Sequence, residues 1–162
     1  MFVLGIDPGL TRTGYGLVRR DRGMQAVTAG VIRTDPGLTM ARRLLELERD
    51  VNAVIDEHRP EVVAIERVFT NRNRQTAISV GRASGVIMAA AARAGLDVHE
   101  YSPNEVKLAV TGDGAATKAA VASLVARRLA LGTVGGPADV SDALAVAICH
   151  LQQARVSVRS TR

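Results

Sequence analysis

The sequence has almost no aromatic residues, a single cysteine and no long apolar segment. It contains no tryptophan and only two tyrosines and two phenylalanines among 162 residues, so its core must be built mainly from alanine, valine and leucine. The single cysteine, Cys149, excludes a disulfide within the chain and is compatible with a reducing compartment. The longest apolar segment, residues 86–92, is far too short to span a bilayer, and the first residues lack the pattern of a secretory signal. We therefore expect a soluble cytoplasmic protein with no membrane association.

Positive charge is the most informative feature of the composition. Lys and Arg number 21 against 16 Asp and Glu, which gives a formal net charge of +5. This excess predicts a polyanionic partner, most simply nucleic acid, with a generic basic surface as the alternative. The length fits one domain, and neither an internal repeat nor a linker divides the chain. We predict a single domain over residues 1–154 and a mobile basic tail over residues 155–162.

The hydrophobic pattern predicts an α/β protein. Strands are expected near residues 2–7, 15–19, 26–34, 61–66 and 96–101, and helices near residues 38–58, 75–93, 104–110, 117–131 and 137–154. Short connections make the first three strands antiparallel neighbours, whereas a helix before the fourth strand implies a right-handed crossover and a parallel pair. Thr117 is the expected N-cap of the fourth helix and Gly95 the residue that ends the second. Gly81 and Gly85 share one helical face and are expected to permit a close backbone approach.

Two of the predicted buried strands end in an acidic residue, Asp7 in the first and Glu66 in the fourth. If these strands are neighbours, both carboxylates emerge at the edge of the sheet where α/β proteins place their chemistry. A buried carboxylate is costly unless a cation or donor neutralises it. For Asp7 alone, an equally good interpretation is that it caps the turn made by Pro8 and Gly9.

A second acidic pair, Asp139 and Asp142, lies three residues apart and therefore on one face near the start of the last predicted helix. Capping is a strong alternative for this pair, because the helix dipole favours acidic residues in a first turn. Four carboxylates on three separate segments, however, favour a metal site over capping. Mg²⁺ prefers oxygen ligands, and two such ions about 4 Å apart can clamp a phosphodiester. The pattern therefore predicts a metal-dependent nuclease.

The order of the predicted elements is that of the ribonuclease H-like fold, and the motifs resemble the RuvC family of Holliday junction resolvases. The resemblance covers nearly the whole chain: Gly5-Ile6-Asp7-Pro8-Gly9 with Gly14-Tyr15-Gly16, Ala64-Ile65-Glu66-Arg67-Val68-Phe69, Val106-Lys107 with Val110-Thr111-Gly112, Lys118, and Ala138-Asp139-Val140-Ser141-Asp142-Ala143-Leu144-Ala145. It implies a five-stranded mixed sheet flanked by helices on both faces. The chain departs from the family where Gly81-Arg82-Ala83-Ser84-Gly85 replaces Gly-Gln-Ala-Arg-Gly and where Val140-Ser141 replaces Ala-Ala. The first departure moves a cationic side chain, so DNA contacts or dimer packing are expected to differ in detail.

The resemblance also implies a function and its residues. Asp7, Glu66, Asp139 and Asp142 fall on the catalytic, metal-binding positions, which hold two Mg²⁺ ions or, as substitutes, Mn²⁺. The family hydrolyses phosphodiesters to 5′-phosphate and 3′-hydroxyl ends. It acts as a homodimer that nicks two strands of like polarity symmetrically at a four-way DNA junction in recombination and repair. Its partner is the RuvA–RuvB branch-migration complex.

Five further residues are candidates for DNA contacts. Phe69 matches an aromatic position of the family and is suited to stacking on a base, worth about 1–3 kcal/mol; burial against the following helix is the alternative. Lys107 and Lys118 match basic positions near the active site, and Lys118 lies at a helix N-terminus, where the dipole disfavours a cation. Arg72 and Arg74 are weaker candidates for phosphate contacts. The alternative for the two lysines is solvent exposure without a role.

Three other functions compete with the resolvase. An actin-like ATPase shares the opening strand and turn, but such proteins are longer and repeat the fold, and this chain has no Walker-type phosphate loop. An RNA-processing nuclease of the same fold and a catalytically inactive junction-binding module also stay open. His58, His99, His150 and Cys149 are expected to be structural.

Overall fold

In the computed structural model of this chain, residues 1–67 and 74–159 are described, with side chains described as far as residue 154. Five strands form one sheet: β1 Phe2–Asp7, β2 Arg12–Arg20, β3 Met24–Arg33, β4 Val62–Glu66 and β5 Asp97–Tyr101. Their order is β3-β2-β1-β4-β5. The β1–β2 and β2–β3 pairs are antiparallel, whereas the β1–β4 and β4–β5 pairs are parallel. The predicted five-stranded mixed sheet is therefore confirmed.

The helices are α1 Met40–His58, α2 Arg74–Arg93, α3 Pro103–Thr111, α4 Lys118–Arg128 and α5 Ala138–Arg159. Local capping explains where several of them begin and end. The Thr117 hydroxyl accepts a hydrogen bond from the Ala120 amide, which confirms the predicted N-cap of α4. Gly95 follows α2 with φ +76°, as a residue that ends a helix does. Ser102 and Glu105 form a reciprocal capping box at the start of α3.

Side chains of the central strands alternate between two hydrophobic clusters, one on each face of the sheet. Val3 and Ala64 pack with α3, α4 and α5, whereas Leu4 and Ile65 pack with α1 and α2. Because side chains alternate along a strand, Asp7 continues the row of Val3 and Glu66 continues the row of Ala64. Both carboxylates therefore leave the sheet on the face that α5 covers.

Helix α5 lies directly on the backbone of β1 and β2. A Cβ atom on Gly5 would stand 2.2 Å from the Ala143 carbonyl oxygen, and one on Gly14 would stand 2.1 Å from the Asp139 carbonyl oxygen. Only glycine allows this approach, which explains two glycines of the opening motifs. Residues 143–151 of α5 are all buried, so the hydrophobic core fixes the helix and brings its first turn to the sheet edge.

Several predicted boundaries are wrong by a few residues. Strand β2 begins at Arg12 rather than at residue 15, and α4 ends at Arg128 rather than at residue 131. Helix α5 ends at Arg159, five residues beyond the predicted end. The division into one domain and a mobile basic tail stays a prediction, and helical backbone up to Arg159 shortens the stretch that such a tail would occupy. Over the described ranges, none of the helices combines the length and hydrophobicity needed to cross a membrane.

Candidate active site

The four predicted carboxylates meet at one edge of the sheet. Ile6 and Ile65 are direct partners across the parallel β1–β4 pair, so Asp7 and Glu66 leave the strands side by side. Asp139 and Asp142 project from the first turns of α5 close enough to interact electrostatically with Asp7. The structure thus brings the four carboxylates together at the predicted edge of the sheet.

Burial and mutual repulsion change the acidity of two of the carboxylates. The pKa of Asp7 rises from 3.8 to about 7, because the side chain is buried and because Glu66 and Asp142 lie nearby. The pKa of Glu66 is also raised, first by burial and then by Asp142, against the opposing charges of Lys118 and Lys107. Excess negative charge of this kind is relieved by protons or by cations.

Two basic side chains partly neutralise this negative charge. Arg12, the first residue of β2, forms an ion pair with Asp139. The Lys118 ammonium donates a hydrogen bond to Asp142 at 2.8 Å, which raises the pKa of Lys118 although burial opposes the rise. Within the described ranges, Asp7 and Glu66 have no ion-pair partner. The inner carboxylates at the strand ends are therefore compensated only through longer-range attraction, by Lys118 for both and by Lys107 for Glu66.

The donor set suits a hard divalent cation, although its side chains are not gathered around a single point. Within residues 1–67 and 74–159, no three side chains of the His, Cys, Asp and Glu types stand ready to hold one ion. Asp139 and Asp142 are instead engaged by Arg12 and Lys118. Four carboxylates, two of them with raised pKa values, are nevertheless the oxygen ligands that a hard divalent cation prefers. An ion would be held by Asp7 and Glu66, joined by Asp139 and Asp142 on leaving their basic partners.

A cavity of about 280 Å³ opens beside these carboxylates. Glu66 and Asp142 line it together with Lys107 and Lys118, the two basic residues predicted to lie near the site. The charge of Lys107 acts on Glu66 and opposes the rise of its pKa. Acidic and basic side chains thus share one cavity, which suits a group that needs both a metal and a compensated negative charge, as a phosphodiester does.

Comparison with known proteins identifies the family. Residues 3–150 match the sequence profile described as crossover junction endodeoxyribonuclease RuvC. The chain belongs to the RuvC family. A RuvC of Mycolicibacterium vanbaalenii is 50% identical over 156 residues, which cover 95% of this chain and 80% of that protein.

Solved structures agree with this assignment. A structure of Thermus thermophilus RuvC has a TM-score of 0.89 at 36% identity and covers 97% of both chains. A second, of T. thermophilus RuvC in complex with a Holliday junction substrate, has a TM-score of 0.87 at 34% identity and covers 96% of both. The predicted ribonuclease H-like fold and the predicted junction-resolving endonuclease are confirmed. Dependence on a divalent metal is general in the RuvC family.

The other predicted DNA contacts have different outcomes. Phe69 and Arg72 lie outside the described residues, so their roles stay predictions. Arg74 is the exposed first residue of α2, and its contact with a DNA phosphate likewise stays a prediction. His150 does not line the cavity of Glu66 and Asp142: its Nδ1 is 2.8 Å from the Tyr101 hydroxyl, and it lines a cavity of about 490 Å³ with Met1.

Sequence reasoning missed Arg12. This residue precedes the strand expected near residues 15–19, and nothing in the local pattern distinguishes it from the other arginines. The one available signal was its position five residues after Asp7, within the segment that connects the first two strands. Its partner Asp139 is 127 residues away, a separation over which single-sequence patterns carry no information.

Proposed function

We propose that this RuvC-family chain resolves four-way DNA junctions by Mg²⁺-dependent hydrolysis with Asp7, Glu66, Asp139 and Asp142 as the metal-binding catalytic acids. The observation that carries the proposal is the meeting of these four carboxylates, from β1, β4 and α5, at one sheet edge. When bound there, Mg²⁺ would activate water and stabilise charge on the phosphodiester. Two ions per site and replacement by Mn²⁺ belong to the proposal, as do 5′-phosphate and 3′-hydroxyl products.

The protein's own side chains orient the reaction. Asp7 and Glu66 are fixed by the sheet, whereas Asp139 and Asp142 are fixed by a helix that is buried along most of its length. Lys107 and Lys118 attract the phosphodiester into the cavity that they share with Glu66 and Asp142. Arg12 and Lys118 keep the α5 carboxylates compensated before metal binds. The net charge of +5 provides the longer-range attraction for DNA.

Symmetric paired nicks require two sites, and we propose a homodimer in which helix α2 contributes to the interface. Gly81 and Gly85 are exposed on α2, and in the described part of the chain no atom beyond their own helix backbone and chain neighbours lies within 4 Å of where their Cβ atoms would be. Each glycine costs about 1 kcal/mol of helix propensity, a cost that no contact among the described residues explains. A second copy that approaches this helix closely explains both glycines. It also explains why Ile78, one turn away, is 56% exposed. We further propose that the dimer works with RuvA–RuvB in the cytoplasm.

A nicking assay tests the activity. A labelled synthetic four-way junction and a matching duplex are incubated with Mg²⁺ or with chelator, and with the wild type or Asp7→Asn. Asp21→Asn, which alters an exposed acid in the β2–β3 turn, is the matched control. We expect paired, symmetric nicks in the junction alone, lost with chelator or Asp7→Asn and retained with Asp21→Asn. Tight binding without nicks in Mg²⁺ or Mn²⁺ would favour a binding module, and cleavage of structured RNA alone would favour the RNA-processing alternative.

Sedimentation of two glycine variants tests the dimer. Gly85→Leu adds a side chain that the isolated chain can accommodate, so we expect a folded protein that sediments as a monomer. Gly132→Leu, which also places its side chain in open space but outside α2, is the control and should sediment as the wild type does. Unchanged dimerisation of Gly85→Leu would place the interface elsewhere.

A further inference from the structure

A second cavity adjoins the active site on the opposite face of the sheet. It measures about 360 Å³ and lies between the segment after β1, helix α1 and the first turns of α2. Its polar lining consists of Thr11, Arg12, Arg43, Gln75, Thr76 and Ser79. Among the described residues, two guanidinium groups, three hydroxyls and an amide line this cleft, and no carboxylate does. Such a lining suits a phosphate group, because every member can donate a hydrogen bond.

Arg43 is held in place by two hydroxyl groups. Its Nε donates to the Thr34 hydroxyl at 3.0 Å, and an Nη donates to the Thr11 hydroxyl at 2.7 Å. Thr34 is buried, and its own hydroxyl donates to the Leu10 carbonyl oxygen. Over the described ranges, no carboxylate lies within 4 Å of Arg43. A planar cation that is already oriented and has donors to spare matches the geometry of a phosphate.

The cleft lies beside the carboxylates over which a cleaved DNA strand would pass. Its wall begins at Gly9, two residues after Asp7, and Arg12 both lines the cleft and pairs with Asp139. Lys107 and Lys118 lie on the α5 face of the sheet, whereas Arg43 lies on the α1 and α2 face. A nucleic-acid backbone that crosses the sheet edge over Asp7 would therefore meet basic residues on both sides.

We propose that this cleft binds a backbone phosphate of the junction strand that is cut, adjacent to the scissile phosphate, with Arg43 as its principal ligand. The proposal rests on the proposed function, since it takes the DNA strand across the four carboxylates. It adds Arg43, assisted by Thr11, to the residues that set the position of the strand. Because phosphate contacts position a duplex without reading its sequence, Arg43 would contribute to affinity and register but not to sequence preference.

The test measures the affinity for a four-way junction at several salt concentrations without a divalent metal, so that binding is separated from cleavage. Arg43→Ala is compared with Arg42→Ala, which removes the same charge from the adjacent, exposed position of α1 outside the cleft. We expect Arg43→Ala to weaken binding about tenfold and to reduce the slope of log K against log salt by about 0.9. Arg42→Ala should weaken binding less than about twofold, as loss of a remote surface charge does.

Two further variants separate DNA binding from a structural role. Thr11→Val keeps the Arg43 charge and removes one of its two supports, so we expect weaker junction binding with an unchanged salt slope. Urea unfolding of each variant reports whether Arg43 merely joins α1 to the segment after β1. Lower stability of Arg43→Ala with wild-type affinity and slope would overturn the proposal, and so would equal weakening by Arg42→Ala and Arg43→Ala.

These outcomes are distinct from failure of the proposed function. If the wild type cuts junctions but Arg43→Ala binds them normally, the cleft has no role in binding and the resolvase stands. If binding depends on Arg43 but no junction is cut in Mg²⁺ or Mn²⁺, the cleft stands and the proposed chemistry fails.

Discussion

Replacing Asp7 by asparagine should stabilise the metal-free protein at pH 8 and leave its stability nearly unchanged at pH 4. Burial, Glu66 and Asp142 raise the pKa of Asp7 from 3.8 to about 7 in the folded protein. Between these two values, the folded chain holds a proton that the unfolded chain has released, so the free energy of unfolding falls as pH rises. Asparagine is neutral at every pH and resembles the protonated carboxyl in shape.

The size of the effect follows from the shift. One pKa unit corresponds to about 1.4 kcal/mol, so a rise from 3.8 to about 7 makes the ionised Asp7 cost about 4 kcal/mol at pH 8. The favourable contribution of protonated Asp7 is complete below pH 3.8 and is lost as pH rises through 7. For a chain of this length, about 4 kcal/mol corresponds to roughly 8–16 °C in the thermal midpoint.

Urea unfolding of both proteins in chelator, from pH 4 to pH 8, measures this difference. The advantage of Asp7→Asn should grow by about 1.4 kcal/mol per pH unit between the two pKa values and then level off. Adding Mg²⁺ at pH 8 should narrow the advantage of the variant, because a ligand at 100 times its Kd stabilises the folded wild type by about 2.7 kcal/mol. A difference that does not vary with pH, or a variant less stable than the wild type at pH 8, would refute the reasoning.

Three other substitutions test the surroundings of the site. Gly5→Ala should destabilise the protein by about 3 kcal/mol or more in urea, because its Cβ would stand 2.2 Å from the Ala143 carbonyl oxygen; a wild-type midpoint would contradict direct packing of α5 on β1. Ser141→Ala should stabilise by about 1–3 kcal/mol at unchanged Mg²⁺ affinity, because the buried hydroxyl has no hydrogen-bond partner in the described part of the chain; a loss of stability would reveal a partner. Arg12→Gln should tighten Mn²⁺ binding in calorimetry by freeing Asp139, and weaker binding would mean that Arg12 positions this carboxylate for the metal.

The fold was predictable because its signals are local and agree with each other. Strands β1 and β4 are short apolar runs, and a helix between two strands implies a right-handed crossover and a parallel pair. Boundaries were less predictable where tertiary contacts extend an element. Arg12 joins β2 because it pairs with Arg33 across the sheet, a partner that the hydrophobic pattern does not reveal.

The site was predictable for the carboxylates but not for their partners. Asp139 and Asp142 read locally as helix-capping residues, and only the expected proximity of Asp7 and Glu66 favoured a metal site. The basic residues lack such a signal, since Arg12 and Arg43 are two of many arginines in the chain. Their roles depend on a carboxylate 127 residues away for Arg12 and on two hydroxyls from other segments for Arg43.

The placement of two acids on α5 also has a consequence for synthesis of the protein. Asp7 and Glu66 are made early, whereas Asp139 and Asp142 are added only with the last helix. At about 5–20 residues per second, roughly 4–15 s separate Glu66 from Asp142 on the ribosome. Throughout that interval the nascent chain already carries basic residues that attract DNA but only half of the proposed metal ligands. The order of the elements thus delays nuclease activity until translation has passed the start of α5 and that helix has docked on the sheet.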